Sequence, residues 1–133
     1  MTQTSILEAH PSLPPAGLNP QVWEQCVRAC TECAQACNTC ADACLGEEAV
    51  EQMVTCIRTD LVCADICTTT ARALVRDVTA EMLRPLLEAC RSACAVCAAE
   101  CKAHAEHHDH CRVCAQACRT CEEACTAVLD ALA

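Results

Sequence analysis

Cysteines in this chain recur at alternating spacings of three and four residues, and that alternation restricts the possible fold more than any other feature. The first run is Cys26, Cys30, Cys33, Cys37, Cys40 and Cys44; a sparser second run is Cys56, Cys63 and Cys67. The third is Cys90, Cys94, Cys97 and Cys101, and the fourth is Cys111, Cys114, Cys118, Cys121 and Cys125. On an α-helix such positions share one side, the seam where Leu and Ile normally meet neighbouring helices. Here the seam is sulfur, and four runs predict four helices whose sulfur faces converge.

The sparse punctuation, 2 Gly and 5 Pro, falls mostly between the runs. Pro11, Pro14, Pro15 and Gly17 predict a loop over 11–18, leaving residues 4–10 at most a short turn of helix. Asn19 followed by Pro20 reads as an N-cap with proline at the first helical position, and Gly46 as the C′ residue that closes the helix. The second helix is expected from about Glu47 to Asp77, the third from about Thr79 or Ala80 to His104, and the fourth from about Asp109 to Leu132. Short connections reach only the near end of the next helix. The expected fold is therefore all-α: an antiparallel up-down four-helix bundle with a cysteine-lined core over residues 19–133, preceded by a short N-terminal extension, 1–18. Alanines beside the cysteines, such as Ala29, Ala36 and Ala93, favour helix and let the backbones approach.

Composition explains why the sulfur has to be more than filler. Of 133 residues 53% count as hydrophobic, but there is one Trp and no Phe or Tyr, so ordinary side chains give only a thin core. A net charge of −9 with nine scattered Lys and Arg argues against nucleic acid as a partner. No segment approaches the roughly 20 apolar residues of a membrane span. The N-terminus shows no basic region followed by an apolar one and no twin arginine, which points to a cytoplasmic location. In a reducing compartment, cysteines at this density read as metal ligands rather than disulfides.

Three chemistries compete for the seam. Disulfides fit poorly, because helical positions i and i+4 hold their Cβ atoms about 5–6 Å apart and a disulfide needs about 3.8 Å. Zinc or an iron–sulfur cluster would use C-x-x-C, present at 30–33, 37–40, 94–97, 111–114 and 118–121. Each of these pairs lies inside a helical run, however, and a divalent ion on four thiolates leaves two buried negative charges per site. Cu(I) is soft, accepts two or three thiolates, and at one ion per thiolate leaves the core neutral. C-x-x-x-C, which occurs eight times, places two sulfurs within reach of one such ion. Thioredoxin-like redox chemistry would need a C-x-x-C pair at an exposed helix N-terminus after a strand, and none of these pairs is placed so.

With cysteines lining all four helices as C-x-x-x-C pairs over residues 19–132, the chain resembles the bacterial copper storage proteins, in particular their cytosolic branch. The resemblance implies a Cu(I) store without catalytic activity that assembles as a homotetramer and serves copper tolerance or supply. The ligand role extends to all eighteen cysteines, since each lies in one of the seams. The zinc or mixed-metal thiolate buffer stands as the alternative. The second run matches least well, since no cysteine stands near Thr59 or Asp60, where the phase would allow one.

Up-down topology also assigns residues to ends. One end gathers Trp23, Leu74, Val78, Leu83, Leu86 or Leu87, Val128 and Leu132 into an apolar plug. The other gathers Cys44, Met53, Cys101 and Cys111 beneath the turn from His104 to His110. His104 and His108 continue the phase of Cys101 and are the candidate ligands of an entrance port, ahead of His107, His110 and Met53. Val50, Val54, Ile57 and Leu61 form a second apolar stripe on the second helix, readable as an oligomer contact.

Overall fold

A computed structural model describes residues 3–132, with side chains from residue 6 onward. Among these residues the regular structure is entirely helical: α1 (Gln3–Ala9), α2 (Pro20–Leu45), α3 (Val54–Leu74), α4 (Ala80–Ala103) and α5 (Asp109–Leu132), with 3-10 turns at Pro15–Gly17 and Val50–Gln52. The four long helices form the bundle, α2 and α4 each bordering both α3 and α5.

Local chemistry sets most helix ends. The Asn19 side chain accepts from the backbone N–H of Gln21 at 2.9 Å and of Val22 at 3.2 Å, capping α2 ahead of Pro20. Thr79 caps α4 by accepting from the Met82 N–H. The α5 boundaries coincide with the expected ones.

Three helix ends differ from expectation. Gly46 stands at the C-cap of α2 with a right-handed φ of −88°, rather than as a left-handed C′ glycine. The second bundle helix starts at Val54 and ends at Leu74, not at Glu47 and Asp77. Met53, only 1% exposed, anchors the chain under the bundle end before α3 begins, so residues 47–53 turn instead of continuing a helix. At the other end of α3, the indole N–H of Trp23 donates to the Leu74 carbonyl at 2.7 Å, satisfying a terminal acceptor.

This contact belongs to the apolar plug. Trp23, Leu74, Leu83, Leu87 and Val128 are buried there, with Val78, Leu86 and Leu132 packed partly buried against the core. Leu7 and Leu18 of the extension join the same buried cluster. Between plug and opposite end the core is almost wholly cysteine.

Candidate metal centre

All eighteen cysteines are free thiols and all are buried. Their sulfurs are close enough to form a column. Within single helices, Cys33 and Cys37 stand 3.9 Å apart, Cys63 and Cys67 3.9 Å, and Cys97 and Cys101 4.0 Å, so C-x-x-x-C does bring its sulfurs together. Links across helices are as short: Cys37 to Cys118 3.6 Å, Cys33 to Cys118 3.7 Å, Cys67 to Cys90 3.7 Å and Cys30 to Cys121 3.7 Å.

These contacts join successive four-ligand groups. Cys30, Cys90, Cys121 and Cys125 form one; Cys33, Cys67, Cys94 and Cys121 the next; then Cys33, Cys37, Cys63 and Cys118; then Cys37, Cys97, Cys114 and Cys118. In each group every ligand atom lies within 4.8 Å of the others, and neighbouring groups share members. Shared sulfurs favour bridging thiolates over isolated sites. Cys26 lies toward the plugged end, where Cys125 and Cys30 hold its thiol down to about 5 through hydrogen bonding.

At the other end the column finishes in a mixed group, Cys40, Cys44, His110 and Cys111. The His110 Nδ1 is 3.3 Å from the Cys40 sulfur and 3.6 Å from the Cys111 sulfur, while its Nε2 meets the Glu47 carboxylate at 2.9 Å. Glu47 also holds the His108 Nδ1 at 2.6 Å. The hydrogen bond from His110, joined by that from His108, lowers the Glu47 pKa. His104 pairs with Glu100 one turn earlier on α4, at 3.0 Å. The imidazole that the structure brings against sulfur is thus His110, while His104 and His108 ring the opening on carboxylate partners. Phase counted forward from Cys101 favoured His104 and His108, but α4 stops at Ala103 and the phase is lost in the turn. Counting back four residues from Cys114 along α5 would have found His110.

Asp60 is the second residue that the cysteine pattern passed over. It is fully buried and occupies the vacant step of the second seam, four residues after Cys56 and three before Cys63. Its Oδ1 accepts from the thiols of Cys97 at 3.1 Å, Cys101 at 3.3 Å and Cys114 at 3.4 Å, and its Oδ2 from Cys56 at 3.8 Å. Burial raises this carboxyl to about 7.

Burial likewise pushes the Cys111 thiol up to about 12 and raises Cys44, so these two thiols are neutral in the metal-free protein. A monovalent ion that displaces one proton per thiol leaves such a core uncharged, whereas divalent ions on four thiolates would accumulate charge.

Known proteins agree with this chemistry. A family model described as copper storage protein matches residues 19–130. The chain superposes with a TM-score of 0.91 on the copper storage protein Ccsp of Streptomyces lividans, solved loaded with 10 copper equivalents, at 46% identity, covering 97% of this chain and 98% of that one. It also matches the Cu(I)-bound copper storage protein BsCsp3 with a TM-score of 0.72 and 40% identity, over 80% of this chain and 96% of that one. An uncharacterized cysteine-rich protein of Bacillus subtilis, YhjQ, is 39% identical over 97 residues, 73% of this chain and 86% of its own length. By sequence, by fold and by its unbroken column of buried thiols, the chain belongs to the copper storage protein family.

Proposed function

We propose that this chain stores Cu(I) in the cytosol, holding close to one ion per cysteine in the thiolate column and catalysing no reaction. The observation that carries this reading is the column itself: eighteen buried free thiols, most of them with another sulfur 3.6 to 4.0 Å away. Two thiolates on one ion with bonds near ~2.3 Å are separated by no more than about 4.6 Å, so small rotamer changes suffice for loading. A related Streptomyces lividans protein is described as a cytosolic copper storage protein, and no described helix here is long and apolar enough to cross a membrane.

The storage unit is residues 19–133, and 1–18 is an N-terminal extension whose Leu7 and Leu18 join the buried core. All eighteen cysteines act as ligands. Cu(I) enters at the histidine end, where His104 and His108 flank the opening and His110 passes the ion to Cys40 and Cys111. Support for this route is the ordering of donors, from solvent-facing imidazoles to fully buried sulfurs.

The storage unit assembles as a homotetramer. Val54, Leu61 and Val62 of α3 and Val96 of α4 are exposed, at 39%, 43%, 58% and 62%. A shallow, largely apolar groove of about 470 Å³ between α3 and α4 includes Val62, Ile66, Ala89, Ala93 and Val96. Sedimentation equilibrium of the wild type and of a Val62→Glu, Val96→Glu double variant tests the assembly; a wild-type monomer rejects it.

Anaerobic titration of the reduced apoprotein with Cu(I) against a competing chelator tests storage itself. Uptake near one ion per thiol is expected. Saturation at four or five ions per chain would favour the zinc-type buffer instead.

A further inference from the structure

Asp60 is a hard oxygen donor set inside a column of soft sulfur, and the three thiols aimed at its Oδ1 come from α4 and α5. We propose that Asp60, Cys97, Cys101 and Cys114 form a discrete tetrahedral site for one divalent cation of the zinc class, separate in metal preference from the rest of the column.

The geometry is that of a ready coordination shell. A tetrahedral ion with sulfur bonds near ~2.3 Å and an oxygen bond near ~2.0 Å requires S···S separations of about 3.8 Å and S···O separations of about 3.5 Å. The Oδ1 stands 3.1, 3.3 and 3.4 Å from the three sulfurs, and Cys97 to Cys101 is 4.0 Å. Cys97 and Cys114 also belong to a group whose ligand atoms lie within 4.8 Å of one another. The second carboxylate oxygen stays with Cys56 and holds the side chain in orientation.

The donor set singles out this position along the column. With three thiolates and the carboxylate bound to one divalent ion the site carries 2 − 4 = −2, the same as on four thiolates, so its preference comes from the donor atoms and not from charge. Oxygen donors favour divalent ions over Cu(I), which gains nothing from them. The four sulfur groups described above offer a divalent ion no oxygen, and the group at the opening adds one imidazole.

Cobalt(II) is the probe, because a tetrahedral thiolate site gives it intense visible bands and a charge-transfer band that grows with the number of thiolates. Titrating the reduced, metal-free protein anaerobically, the first equivalent should give a tetrahedral spectrum of three thiolates and one oxygen, and zinc should displace it. Asp60→Asn should weaken that first equivalent by about tenfold or more. Asp60→Cys should restore affinity and raise the charge-transfer intensity to that of four thiolates. A four-thiolate spectrum in the wild type, which requires no variant to fold, overturns the proposal, as does wild-type affinity in Asp60→Asn of native circular dichroism. Copper storage is judged separately by Cu(I) capacity, so the failure of one reading leaves the other measurable.

Discussion

The two ends of the bundle are built from the same four helices and have opposite chemistry. At one end Trp23, Leu74, Leu83, Leu87 and Val128 close the core with carbon, and the polar atoms there are consumed locally: the Trp23 N–H donates to Leu74 and Arg84 donates to the Leu132 carbonyl at 2.8 Å. At the other end, carboxylates hold imidazoles, and one imidazole touches sulfur. A metal ion leaving water needs a partner at every step, because an unpaired charge in a low-dielectric interior is costly. Only the histidine end offers such a series. The plug supplies the ordinary hydrophobic burial that a cysteine column cannot, since a thiol covers less apolar surface than Leu or Trp.

The contrast can be broken most forcefully at the plug. Trp23→Ala should destabilise the apoprotein by about 3–5 kcal/mol, from the lost aromatic burial and the orphaned Leu74 carbonyl, measured by urea unfolding under reducing conditions. The fraction that stays folded should keep its Cu(I) capacity; a loss of several ions would show that the plug holds metal after all.

At the opposite end, a His104→Ala, His108→Ala, His110→Ala variant should slow Cu(I) uptake from a chelated donor by about tenfold, followed in a stopped-flow instrument, and cost at most a few ions of capacity. Unaltered rates with unaltered capacity would place the entrance elsewhere. Mid-column, replacing Cys33 and Cys37 with Ser should do the reverse: a fall of roughly two ions in capacity, one per thiolate, with similar early uptake rates.

The pH response sharpens the comparison further. Loading displaces thiol protons, so it should release acid and weaken as pH falls. For the metal-free fold the sign is opposite. Cys111 rises from 9.0 to about 12 on burial, so the folded state retains a proton that the unfolded chain releases. Its contribution is complete below 9.0 and lost as pH rises through about 12, and chemical unfolding of the apoprotein should show stability falling across that window. A flat profile there would mean that the opening is already hydrated. The smallest expected effect is Glu47→Gln, which keeps the hydrogen-bonding oxygen near His108 and His110 but removes its charge; a modest slowing of uptake, below that of the histidine variant, is the outcome to look for.

How much of this was legible before folding varies by residue. The sulfur seams, the Asn19 cap, the start of α4 near Thr79 and the span of α5 follow from spacing and local hydrogen bonding, and so does the identity of the plug. Asp60 was half visible: the second seam has a gap where it sits, and an acidic residue at a core position announces a polar core site, but nothing local shows which sulfurs surround it. His110 was passed over because phase was counted forward from Cys101 across the turn, whereas α5 itself places it four residues before Cys114.

The sequence alone determined that sulfur lines the inside of a four-helix bundle, because a periodicity of three and four fixes a helical face without reference to any partner. Tertiary structure alone decided which sulfurs share a group, where α3 starts and stops, that Glu47 holds two histidines, and that Asp60 meets three thiols from two other helices. Those facts depend on axial register between helices. Register is set by the buried plug and by connections such as Met53, where packing over long sequence separations overrides local preference.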